Sequence, residues 1–148
     1  MNTFQGFAIA MIIVSLILSG VSYYYYNKGD AKMFEVFSLS ATIVVGWNIS
    51  NLFTMVWHDH HPNSTVIFLW LTLICGVIAL IFVGIAQYFA HNNDHDTADK
   101  FNYLASLFGG VGVGALAGWV WVTTSNPTPV YAYAPNMPDD QQFPLNYR

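Results

Sequence analysis

The chain has 148 residues, 55% hydrophobic and 8% charged, with a formal net charge of −4. A soluble domain carries roughly a quarter charged residues, so there is too little charge here to cover a water-facing surface. The slight acidic balance also offers no basic surface for nucleic acid.

The charges cluster between long uncharged segments. That pattern predicts an all-α integral membrane protein whose first partner is the lipid bilayer. Four apolar runs follow in chain order, each longer than the ~20 residues that cross a hydrocarbon core. Their continuity favours helices over the short alternating segments of a barrel.

Run 1 spans about Phe4 to Tyr26. It lacks the positive n-region of a signal peptide and reads as a first transmembrane helix. Tyr23 to Tyr26 close it with rings that suit a membrane interface. In the short link that follows, Gly29 can take the left-handed conformation that ends a helix, and Asp30 can cap the next.

Run 2, about Met33 to Trp57, is the polar one. At 100° per residue, Glu35, Ser38, Thr42, Gly46 and Ser50 share one side, and Ser40, Asn48 and Asn51 lie on the other. Polar groups facing lipid are costly, so both sides are expected to meet protein or water. This places helix 2 inside the bundle or at a subunit contact. The alternative is a polar lining for a homo-oligomeric channel or transporter. Glu35, the only acid in the run, lies near the helix end, where an interfacial role beside Lys32 is expected.

The turn Trp57-His-Asp-His-His-Pro-Asn63 contains His58, His60 and His61, residue types that bind zinc or copper. Pro62 stops helix 2, and Asn63 or Ser64 can cap helix 3. The turn reads first as polar cover at a membrane edge. A metal there would need further ligands from a partner, another copy or the tail, where Asp139 and Asp140 are candidates.

Run 3, about Ser64 to Ala90, holds Cys75, the single cysteine, so no intramolecular disulfide can form. The link His91 to Lys100 offers Asp96 or Thr97 as a cap. Run 4, about Phe101 to Thr124, carries Ser106, Gly110, Gly114 and Gly118 at four-residue intervals. Such a stripe lets helix backbones approach closely in lipid. Gly109 and Gly112 widen it, enough for two packing partners.

After Thr124 the chain holds five of its six prolines. They favour an extended path. Tyr131, Tyr133, Phe143 and Tyr147 make residues 125–148 an expected docking tail for another protein subunit or a further copy of this chain.

The expected organisation is a four-helix transmembrane domain over 1–124, up-down-up-down because the links are short, followed by the tail. Lys28, Lys32 and Lys100 flank the first and third links. The positive-inside rule therefore puts both termini on the non-cytoplasmic face. Gly20–Asn27 is similar to Gly84–Asn92, and Asp30–Phe34 to Ala98–Phe101, which suggests a duplicated hairpin. No nucleophile set, phosphate loop or cofactor motif is present. The expectation is a non-enzymatic structural or scaffold subunit, in a membrane complex or a membrane-containing virion, with no cofactor.

Overall fold

A computed structural model describes residues 3–61, 64–125, 130–131 and 144–145. Helix α1 spans Thr3–Lys28, α2 Ala31–His60, α3 Val66–His91 and α4 His95–Ser125. Two short strands follow, β1 at Val130–Tyr131 and β2 at Pro144–Leu145. All four helices are long and apolar enough to cross a membrane.

The helix ends fall within two residues of the sequence reading except at two boundaries. Helix α2 runs on past Trp57 to His60, because Pro62 constrains only the residues next to it. Helix α4 begins at His95, two turns before the apolar run. Its cap is Asp94 rather than Asp96 or Thr97, since Asp94 Oδ1 accepts from the Thr97 backbone N–H at 3.2 Å. The residue preceding α3 is Thr65, which makes no side-chain cap bond, in place of Ser64. Asn63 lies outside the described residues.

The two hairpin links share one design. Gly29 has φ +74 and Asn93 has φ +61. Asp30 N–H donates to the Tyr25 carbonyl, and Asp94 N–H donates to that of Phe89. Gly29 N–H bonds Tyr26 and Asn93 N–H bonds Ala90. Asp30 then caps Met33 as Asp94 caps Thr97. Each pair is separated by 64 residues.

The Asp94 cap carries a pH signature. Side-chain and then backbone hydrogen bonds to Thr97 hold its carboxyl below the ordinary carboxylate value. A depressed folded value stabilises the helix start above the unfolded pKa. That contribution is lost as pH falls through the folded value. The first turn of α4 is therefore expected to fray below about pH 4, read as faster amide exchange at Thr97. In Asp94→Asn, a neutral residue that still caps, the acid step should vanish.

The helices pack in the order α1, α2, α4, α3. Between α1 and α2, Ser22 pairs with Ser38 and Met11 with Asn48, so the two run in opposite senses. Between α2 and α4, Ser50 lies against Gly114 and Thr54 against Gly118, so these two run in the same sense. Thr72 and Cys75 of α3 meet Gly112 of α4, while Phe89 stacks on Phe101.

The 64-residue shift holds throughout the packing. Tyr25 stacks on Phe37 at 5.5 Å, and Phe89 on Phe101 at 5.8 Å. Phe4 and Phe68 are both buried, as are Ala41 and Ala105. A Cβ on Gly46 would strike the Leu107 carbonyl, and one on Gly110 would strike the Ile43 carbonyl. Contacts that exchange roles in this way are isologous, as in a two-fold dimer. The chain is two similar helical hairpins related by an approximate two-fold axis between α2 and α4. The register differs in one place from the sequence reading: Asp30 matches Asp94, and Phe37 matches Phe101. Capping geometry fixes this where side-chain similarity misleads.

Candidate functional site

The site begins with the glycines of α4. Gly110 lies against the Ile43 backbone and Gly118 against the Thr54 side chain. At Gly114 an added Cβ would stand 2.8 Å from Ser50 Cβ and 3.0 Å from Trp47 Cα. The stripe therefore seats α2 within the same chain. Gly112 turns the other way, where a Cβ would lie 3.5 Å from Cys75 Cβ of α3. Gly109 has open space beside it. Ser106 lines a groove with Leu39, Ile43 and Val83, between α2, α3 and α4.

The polar positions of α2 do not act as one face. Ser38 and Ser22 hydroxyls bond at 2.5 Å, and Asn48 Nδ2 donates to the Met11 carbonyl at 3.3 Å. These two face α1. Ser50 faces α4 and is 0% exposed. Asn51, at 1% exposure, occupies the angle between the α1 side and the α4 side. Thr42 bonds its own helix at the Ser38 carbonyl, and Glu35 is exposed near the helix start. Helix α2 thus sits between two protein neighbours, as its polarity requires.

Ser19, Ser22, Ser38, Thr42 and Tyr103 line a groove of about 420 Å³ between α1, α2 and α4. Four of its hydroxyls are already engaged: Ser19 donates to the Ser15 carbonyl, Thr42 to the Ser38 carbonyl, and Ser22 and Ser38 pair with each other. The less satisfied polar groups lie deeper. Trp47 Nε1, Asn48 Oδ1, Ser50 Oγ and both amide atoms of Asn51 are buried without a hydrogen-bond partner.

Thr54 and Trp47 belong to this centre, although the sequence reading did not single them out. Thr54 is 0% exposed and donates to the Ser50 carbonyl at 2.9 Å. Its signal was available, since it extends the four-residue series 42, 46, 50. Trp47 gave no such signal, because its apolar ring resembles ordinary lipid-facing bulk.

The histidine turn is held by aromatic neighbours. His61 packs on Trp57 at 4.5 Å, and His58 meets the edge of Trp121 at 6.0 Å. His60 Nδ1 contacts the Val56 carbonyl at 2.8 Å. Among the described residues no three ligand-type side chains gather to hold a metal. Asp139, Asp140, Tyr133, Phe143 and Tyr147 lie outside the described residues. Tyr131 lies in β1, which pairs antiparallel with β2, Val130 opposite Leu145 and Tyr131 opposite Pro144. No family model matches the chain, and no curated protein and no solved structure matches it.

Proposed function

We propose that this protein is a non-enzymatic structural subunit of a membrane assembly. Four helices cross the bilayer up-down-up-down, with both termini on the non-cytoplasmic face. The tail, which follows α4 from residue 126 to 148, is the part offered to a protein partner or a further copy. The setting is a membrane complex or the membrane of a virion that contains one.

The observation that carries this reading is the closed centre. A channel through one copy would run along the axis relating the two hairpins, as binding sites do in transporters built from parallel repeats. Here Gly46 and Gly110 bring the two backbones together on that axis. The outward side chains, such as Ile17 and Leu80, are large, apolar and exposed, which suits lipid. The β1–β2 pair supports a tail that folds back on itself to offer a short recognition element.

Removing residues 126–148 should leave the helical content and thermal transition of the four-helix part in place. It should also abolish co-purification of the native partner after gentle extraction. Recovery of the same partner by the truncated chain would overturn the docking role. The channel reading has its own test. Ion flux through purified protein in liposomes, blocked by Ser38→Trp or Thr42→Trp, would replace the structural reading.

A further inference from the structure

The two hairpins differ in chemistry where they meet. In α2, positions 47, 48, 50, 51 and 54 are Trp, Asn, Ser, Asn and Thr. Their equivalents in α4, 64 residues on, are Val111, Gly112, Gly114, Ala115 and Gly118. Helix α4 meets the need for close packing with apolar residues alone, four of the five being glycine or alanine. Helix α2 adds hydrogen-bonding groups to a place that packing does not require them.

Helical spacing makes these groups neighbours. Asn48 and Asn51 are three apart, Trp47 and Asn51 four apart, and Trp47 and Ser50 three apart, so they form one strip around α2. The strip lies about 14 Å from the His60 end of the helix, well inside a hydrocarbon layer. Burying an unpartnered amide is unfavourable, because the hydrogen bonds it made to water are lost and not replaced. A group of them persists only if something answers their hydrogen bonds.

We propose that the strip is a buried hydration site, in which water bridges Trp47 Nε1, Asn48 Oδ1 and the Asn51 carboxamide. The donor and acceptor inventory selects water. Trp47 offers only a donor, Asn48 Oδ1 only an acceptor, and Asn51 offers both. A cation would meet the indole and amide N–H groups, and an anion would meet the carbonyl oxygens. Both are repelled, and no ionisable side chain belongs to the strip. A mixed set fits a small neutral molecule that donates and accepts. Exposure of 1% at Asn51 and 0% at Ser50 keeps the strip from bulk solvent, so the molecule that answers it is a small one held within the protein. The site goes beyond the structural-subunit reading and does not rest on it.

Water-to-indole NMR on the full chain in lipid nanodiscs, with ¹⁵N-labelled tryptophan, tests this. The Trp47 signal is assigned by its loss in Trp47→Phe. Trp70, 57% exposed on α3, serves as the lipid-facing control. The expected result is a cross-peak from a long-lived water to Trp47 Nε1–H, with none at Trp70 and loss of the peak in Asn51→Leu. A wild-type Trp47 signal that shows only protein or lipid protons overturns the proposal, whether or not Asn51→Leu folds. So does a water cross-peak that survives in a folded Asn51→Leu variant.

Discussion

Replacing Gly110 by leucine is expected to prevent the four helices from assembling. Any side chain there must displace the Ile43 main chain. A flexible neighbour could turn aside, but a helix backbone can move only as a whole. Overpacking a core commonly costs about 1–3 kcal/mol, and the absence of a yielding atom puts this change at the upper end or beyond. The two-fold relation adds a second expectation. Gly46→Leu meets the Leu107 main chain in the mirrored contact and should cost about as much. Gly20 and Gly84 are the controls, because nothing lies within 4 Å of a Cβ at either. Alanine there should be neutral or gain up to about 1 kcal/mol of helix propensity. Denaturant titration of helical circular dichroism in detergent micelles reads all four variants. A Gly110→Leu midpoint equal to wild type would mean that α2 and α4 are not in contact.

Length, hydropathy and short links were enough to read four helices from the chain. The period of the glycines was enough to read a close contact. Neither property names the partner helix. A stripe at positions 110, 114 and 118 looks the same whether α2, α3 or a second copy covers it. The answer depended on Gly46, one glycine on another helix, which gains meaning only when its counterpart is known. The polar face of α2 misled for a related reason. Angular position groups Ser38 with Ser50, yet they lie three turns apart, and different helices cover them. The hairpin repeat was legible at Gly20 and Gly84 but slipped at the links. There the shared property is backbone geometry at Gly29 and Asn93, and glycine and asparagine reach that geometry by different means. Asn51 stood out as polar, but its lack of partners is a property of packing that no spacing rule contains.

Phe68→Ala should destabilise the protein by about 1–3 kcal/mol, less than the 3–5 typical of a water-soluble core. Phe68 is 1% exposed and meets Phe53 edge-on at 5.9 Å. In water such a truncation loses both the transfer of the ring out of solvent and the contacts across the cavity left behind. In a bilayer a helix released from its neighbours stays in hydrocarbon, so most of the transfer part cancels and the lost packing remains. Leu80 separates the two contributions. It is 72% exposed on α3, and Leu80→Ala trades one lipid contact for another, with an expected change near zero. The repeat supplies the remaining comparison. Phe4 is the counterpart of Phe68 and stacks on Trp121 at 4.5 Å, so Phe4→Ala should fall in the same range. Unfolding measured in bicelles for the three variants tests the packing order as a whole. A Leu80→Ala loss as large as that of Phe68→Ala would mean that the outward face of α3 is buried against protein, and the order α1, α2, α4, α3 would have to close around it.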